Sequence, residues 1–424
     1  MSVRLRTPGR FSLPEVSDFR YLWGAASISF VGDGMSAAVL PLLVASLSTD
    51  PKVVASVVVI RWLPWVLFAL PAGVLADAWD RVRTMWICDL VRAGLTAALG
   101  VSILLGAVSI PLLMVVAFAV TTAGILFDSS GTAVLPKMVG RDPDLVRSAN
   151  SRLMTAQTLS VDFVGPPLGG ALFGFSRFVP VLGDAVSYLL SALLLRRIRG
   201  DYKVHKPGAL TLGTMRSSLG EGLRWLIRQP LLRSLTVLSG GGNLANFAQS
   251  SMLVLFAESV LGLGALGFSL LLAAGSIGAF LGGLVAPRID RRLGSAIVIR
   301  STLVISALGS LAMGLSTQSW MPYLIVVFTG FAVTVRNVVQ VSLRQSHTPD
   351  ELLGRVSSVH RLVTYGAIPL GAGMGGLLAS AAGLRAAMFA ASAIFATLAI
   401  VATCTITAAR VTESRTKSTE VGGR

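Results

Sequence analysis

Long apolar stretches of about 20 residues, separated by short polar joins, recur along the whole chain. A helix of that length matches the ~30 Å hydrocarbon core of a bilayer at ~1.5 Å rise per residue. The pattern predicts twelve spans, at about 20–47, 53–76, 85–106, 110–131, 149–175, 178–197, 232–259, 264–286, 295–315, 319–341, 354–380 and 384–408. The join FDSSGTAVLPKMVGRDPD, between spans four and five, is the least sharply marked. No stretch alternates with the period of two that a membrane β-barrel requires. A lipid-facing backbone must satisfy its own hydrogen bonds, so the predicted class is all-α membrane.

The polar positions orient the spans. Arg4, Arg6, Arg10 and Arg20 precede span one; Arg81 and Arg83 follow span two; Lys137, Arg141 and Arg147 follow span four. Later even-numbered joins carry Arg196 to Arg233, Arg288 to Arg292, and Arg344 with Arg355, whereas the opposite side carries only Lys52, Arg177 and Arg385, plus Arg61 a little way inside span two. The positive-inside rule then places both termini and the central loop in the cytoplasm, which requires an even number of spans. In the central loop, TMRSSLGEGLRWLIRQ sets Met215, Leu219, Leu223 and Leu226 at helical spacing with arginines between them. It reads as an amphipathic helix on the inner membrane surface or as a plain linker helix.

The two sides of that loop repeat. Pro143 maps to Pro349 at an offset of 206, and the same offset carries Gly165, Gly169 and Gly170 onto Gly371, Gly375 and Gly376. Gly73, Asp80 and Arg81 map to Gly283, Asp290 and Arg291 at 210. Two six-span halves related by a parallel repeat are expected of a two-fold transporter. The expected organisation is a tail at 1–19, one half at 20–197, the loop at 198–231, a second half at 232–408 and a tail at 409–424.

Composition sharpens this picture. Of 424 residues, 53% are hydrophobic and 13% charged, half the ~25% charge of a soluble domain. The 44 glycines suit close helix approach. A net charge of +16 would suggest nucleic acid in a soluble protein, but here it sits in the cytoplasmic joins, so no nucleic-acid partner is expected. The basic opening MSVRLRTPGR lacks a following short apolar region with a cleavage site and reads as a retained tail. Cys88 and Cys404 form no disulfide or metal framework, and His205, His347 and His360 lack ligand spacing. Neither a phosphate-binding loop nor a dinucleotide fingerprint is present. No enzyme activity, cofactor or metal is expected.

Between spans two and three lies GVLADAWDRVR, four of whose eleven residues are charged. Gly73, Asp77, Arg81 and Arg83 match the loop motif of the major facilitator superfamily, with Asp80 where many members have Gly. The degenerate copy GLVAPRIDRRLG has Pro287 in place of the acidic residue. With FRYLWGAASISFVGDG, LPAGVLADAWDRVR and GPPLGGALFG, nearly the whole chain resembles a bacterial drug:proton antiporter branch of that superfamily, related to macrolide and tetracycline exporters. The resemblance implies a conformational latch. Asp77 would face the N-terminus of span eleven near Gly354, a contact of about 0.3–1 kcal/mol, up to ~2 when partly buried. Arg81 would reach Asp128. GPPLGG resembles the span-five motif of antiporters: Gly165, Gly169 and Gly170 bare one helix face, while Pro166 and Pro167 bend the helix.

Ionisable residues inside spans are functional candidates, at about 2.5–3.5 kcal/mol each when unpaired. Asp33 lies roughly 20 Å from either end of span one by helical rise; Asp162 and Asp184 lie in spans five and six. Each is a candidate proton-coupling carboxylate, or an Asp bonded to a neighbouring hydroxyl or backbone group. Arg61 either pairs with Asp33 or snorkels outward, and Arg336 is expected to snorkel inward. Trp62, Trp65, Asn243, Asn246, Gln249, Asn337 and Gln340 are candidate cavity residues, or otherwise packing aromatics and interhelical hydrogen-bonding groups.

The expected function is export of small amphipathic molecules, such as an antibiotic, drug or natural product, across the bacterial cytoplasmic membrane. The expected partners are that substrate, protons and the bilayer, with the chain acting as a monomer. An importer or lipid- or siderophore-type translocator on the same fold, and a non-transporting membrane sensor, are the alternatives.

Overall fold

The computed structural model describes residues 17–406 except 141, 201 and 203–211; the side chains of 17, 69–78, 212–216, 218 and 350 are also outside the described set. His205, Arg141 and most of both expected tails therefore lie outside the described residues.

All described regular structure is helical. The first half contains α1 (Ser17–Leu47), α2 (Pro51–Ala78), α3 (Arg81–Leu104), α4 (Ile110–Val139), α5 (Pro143–Gln157), a π-helical turn (Thr158–Val164), α6 (Gly165–Phe175) and α7 (Val179–Leu195). Then come α8 (Leu212–Arg228), α9 (Pro230–Ser250), α10 (Leu253–Ser259), α11 (Ala265–Leu293), α12 (Ser295–Leu315), α13 (Met321–Ser346), α14 (Asp350–Ala382) and α15 (Leu384–Thr405). Among the described residues, nine helices are individually long and apolar enough to cross a membrane. Three further spans complete twelve: the shorter α7, and two composite ones. Span five starts earlier than its apolar pattern suggests, at Pro143, and runs through α5, the π turn and α6. Span seven breaks at Ser251 and Met252 between α9 and α10.

Local chemistry sets the ends. Asp80 caps α3 by accepting the Arg83 N–H at 3.0 Å, and Asp142 caps α5 by accepting the Asp144 N–H at 2.8 Å, as carboxylates do at helix N-termini. Proline stands at the first turns of α4, α5, α6, α7, α9 and α13, where its missing N–H costs nothing. Asp18 at the start of α1 accepts from Tyr202 Oη at 2.9 Å and from the Gly200 N–H at 3.0 Å, tying span one to the segment after span six.

The apolar cores show how the halves meet. At the end of the bundle remote from the described termini, one cluster draws on both halves: Leu43, Ala55, Leu113 and Val181 pack with Phe256, Phe268, Ala379 and Met388. At the opposite end each half keeps a core of its own. One holds Phe19, Met85, Val134 and Leu195; the other holds Leu238, Ile299, Val339 and Phe395. Among the described residues, the apolar core shared by the two halves lies at the far end.

That seal follows the internal repeat. A Cβ on Gly165 or Gly169 would strike the backbone of Gly34 and Met35 in α1, and one on Gly371 or Gly375 would strike Leu244 and Ala248 in α9. A Cβ on Gly170 would strike Ser269 of α11, and one on Gly376 would strike Ala55 of α2, each across the seam between halves. The same three glycines therefore make the same intra-half and inter-half contacts twice.

α8 departs from a helix lying on the membrane alone. Leu226, Leu219 and Trp225 pack against Leu352, Val356 and Val359 of α14, and Glu221 pairs with Arg355 at 2.5 Å. Leu223 remains exposed, and Met215 falls among the undescribed side chains.

Candidate functional site

The first half encloses a cavity of about 340 Å³ lined by residues of α1, α2, α3, α4, the π turn and α7. Polar groups enter it because several helices place charged or hydroxyl residues on an otherwise apolar inner face, among them Asp33 and Ser36 of α1, Arg92 of α3, Asp128 of α4 and Asp184 of α7.

Arg92 on α3 is the hub. It donates to Asp33 Oδ1 on α1 at 2.5 Å, to Tyr188 Oη on α7 at 2.8 Å, and to Asp89 Oδ1 one turn back at 3.3 Å. Its guanidinium also lies 3.9 Å from the centre of the Tyr188 ring, a cation–π contact. Tyr188 Oη donates to Asp33 Oδ1 at 2.6 Å, and Ser191 Oγ to Asp89 Oδ2 at 2.5 Å. Asp33 therefore pairs with Arg92, not with Arg61. Asp184, buried on α7, accepts from Ser36 Oγ at 2.5 Å and Ser187 Oγ at 3.4 Å. Gly32 makes room for it, because a Cβ there would overlap both Asp184 and Ser187.

Two charges on the cavity wall have no such partners. Arg61 lines the cavity and makes no hydrogen bond or ion pair among the described residues, although Asp33 and Asp184 are within electrostatic range. Asp128 also lines it, exposed, and its carboxylate accepts no hydrogen bond among the described residues. The Arg81–Asp128 pair implied by the resemblance is not formed: Arg81 Nη1 donates instead to Ala133 O, one turn further along α4, at 2.8 Å. Gly73 and Asp77 lie on α2 where side chains are not described, Asp80 serves as a helix cap, and Arg83 is exposed.

Asp162 lies in the π turn, half-buried, apart from the Arg92 group. The turn precedes Pro166, whose ring and missing N–H disturb the helical ladder, and the Gly165 N–H bonds back to Ser160 O in the wide register. π turns recur at functional sites, and Phe163 within this one meets Phe280 of the other half, ring centres 5.9 Å apart.

The aromatic candidates bridge the halves. Trp62 meets Phe247 edge-on at 5.2 Å, and Trp65 meets Tyr365 at 5.6 Å. Both tryptophans also line the first-half cavity. The second half has a separate cavity of about 280 Å³, whose wall includes Asn246 and Gln249. Asn243 donates to Thr364 O at 2.9 Å, Gln340 accepts from Ser239 at 2.7 Å, and Asn337 is exposed. Arg336 does not snorkel. It is 3% exposed, donates to Ser306 Oγ at 3.3 Å and lies 5.6 Å from the Phe395 ring centre.

Asp89, Arg92 and Tyr188 escaped the sequence reading. Two charges one turn apart inside the apolar stretch 85–106 were a readable signal; their convergence with Asp33 and Tyr188 needed the fold.

A family model described as transmembrane secretion effector matches residues 12–420. The chain belongs to that family of major facilitator superfamily transporters. The transporter is 28% identical over 386 residues to the multidrug efflux pump Tap of Mycolicibacterium fortuitum, covering 87% of this chain and 90% of that one. It is 30% identical over 189 residues to the putative bacilysin exporter BacE of Bacillus subtilis (strain 168), covering 42% and 44%. Its fold resembles an inward-facing bacterial homologue of ferroportin (TM-score 0.74, 18% identity, 92% and 98% covered). It also resembles an inward-facing bacterial homologue of Spinster (TM-score 0.72, 16% identity, 95% and 98% covered).

Proposed function

We propose that the transporter exports small amphipathic molecules across the bacterial cytoplasmic membrane by proton antiport, with both termini cytoplasmic, and acts as a monomer. Its domains are the halves 20–197 and 232–408, joined through 198–231. The observation that carries the reading is the placement of the mid-membrane carboxylates. Asp33, Asp89, Asp128, Asp162 and Asp184 all belong to the first half, whereas the acidic residues of 232–408 are Glu258, Asp290, Asp350 and Glu351, each at or near a helix end. Four of the five gather around or beside one cavity.

The shared apolar core at the far end supports an inward-facing state, with the substrate cavity addressed from the cytoplasm. Alternating access then consists of opening that seam while the terminal end closes. Asp33 is the coupling carboxylate because its protonation alters a bond between helices. When Asp33 takes a proton, Arg92 is left to Asp89, and the tie from α1 to α3 and α7 loosens. Asp77 and Arg81 form the latch of the opposite, outward-facing state. Homology to Tap and BacE supports export as the direction.

The test is Asp33→Asn in proteoliposomes. Uphill, gradient-driven efflux is lost while downhill exchange of labelled substrate persists; normal uphill pumping would remove Asp33 from the coupling role and make Asp184 the next carboxylate to examine.

A further inference from the structure

The wall of the first-half cavity carries several charges, and their bonding separates them into two groups. Asp33 and Asp89 share Arg92, and Asp184 is held by Ser36 and Ser187. Arg61 and Asp128 stand outside these arrangements, each on the cavity wall without a hydrogen bond or ion pair among the described residues. They do not neutralise each other either: the charges nearest Arg61 are Asp33 and Asp184, and those nearest Asp128 are Arg92, Asp33 and Asp89. An unpaired ion at membrane depth is costly, so both positions are open to a charged ligand group.

Their depths differ in a useful way. Arg61 lies ten residues into α2 and Asp128 eighteen residues into α4, counted from the far-end starts Pro51 and Ile110. At ~1.5 Å per residue these are about 15 and about 27 Å, an axial separation of roughly 12 Å. Trp65 lies between those depths and, with Trp62, also lines the cavity.

We propose, on the reading of this cavity as the substrate site, that the transporter selects amphipathic zwitterions. The carboxylate of the ligand pairs with Arg61, its ammonium group pairs with Asp128 nearer the cytoplasm, and its aromatic body lies against Trp62 and Trp65. Guanidinium–carboxylate pairing is charge-assisted and directional, and aromatic faces supply apolar area beside it. A permanent cation satisfies Asp128 and leaves Arg61 bare; an anion does the reverse.

The experiment measures binding to the purified full-length chain in detergent by quenching of tryptophan fluorescence. The probes are ciprofloxacin, whose carboxylate and piperazine ammonium lie at opposite ends, its decarboxylated analogue and its N-acetyl analogue, with the tripeptide Phe-Ala-Phe as a second zwitterion. The wild type binds ciprofloxacin about 10-fold or more tightly than either singly charged analogue, a difference of ~1.4 kcal/mol. Arg61→Gln brings ciprofloxacin down to the level of its decarboxylated analogue and leaves that analogue unchanged; Arg61→Lys recovers part of the preference. Asp128→Asn brings ciprofloxacin down to the N-acetyl analogue and leaves that one unchanged. Equal or tighter binding of the decarboxylated analogue, no binding of both zwitterions, or equal weakening of every probe by Arg61→Gln would overturn the proposal. Proton-driven movement of ethidium in proteoliposomes reports the export reading separately, and its survival alongside such a result would leave that reading intact.

Discussion

Removing the Arg92 guanidinium leaves Asp33 and Asp89 without the cation they share, while Ser191 and Tyr188 can answer only part of their charge. Breaking a buried pair from one side costs about 3–5 kcal/mol. Arg92→Ala is therefore expected to lower the melting temperature of the purified protein sharply, and Arg92→Lys to lower it less. An Asp33→Asn/Arg92→Ala double variant should be less damaged than the sum of the two, as coupling between contacting residues requires; strict additivity would show the pair to be energetically idle. At this scale the sequence exposed Asp33 and Asp184 through their cost in an apolar span. It left Arg61 either pairing with Asp33 or snorkelling; the structure gives Asp33 to Arg92 and sets Arg61 on the cavity wall. Neighbours across helices are set by crossing geometry, which a linear pattern does not encode.

Among the elements, the span-five motif and its repeat in span eleven carry the clearest mechanical role. Gly170 and Gly376 let the halves touch at the far end, and even a methyl group at either one meets the opposing helix. Gly170→Ala and Gly376→Ala should each weaken that seam and raise the reactivity of a cysteine placed at Leu47 toward an impermeant thiol reagent; unchanged labelling would mean the seam tolerates the methyl. The repeat offsets of 206 and 210 were legible in the glycines and the loop charges, and so was the even number of spans. The π turn was less so: Pro166 and Pro167 announced a disturbed helix, but whether a ladder bends or widens depends on what packs beside it, here Gly34 against Ser160 and Val161. α8 was legible as amphipathic, yet its apolar face docks on α14, a choice that only the tertiary partner decides.

For the whole molecule, the proposed latch belongs to the conformation opposite to this one. Asp77→Asn and Arg81→Ala should therefore cripple transport while the protein remains inserted and abundant and still binds ligand in detergent; full transport by either variant would remove the latch from the cycle. Alternating access also predicts reciprocal distances. Spin labels across the far-end seam should separate, and labels across the terminal end approach, when the outward-facing state is populated. Movement of protons through the first-half cavity is expected to drive substrate out, and reconstitution makes both movements visible at once. The purified chain is reconstituted into liposomes, a pH gradient is imposed, and ethidium movement is followed together with internal pH. Uphill ethidium movement coupled to opposite proton movement is expected, both lost in Asp33→Asn while downhill exchange remains. Ethidium movement that dissipates its own gradient without moving protons, and that is indifferent to Asp33→Asn, would contradict it.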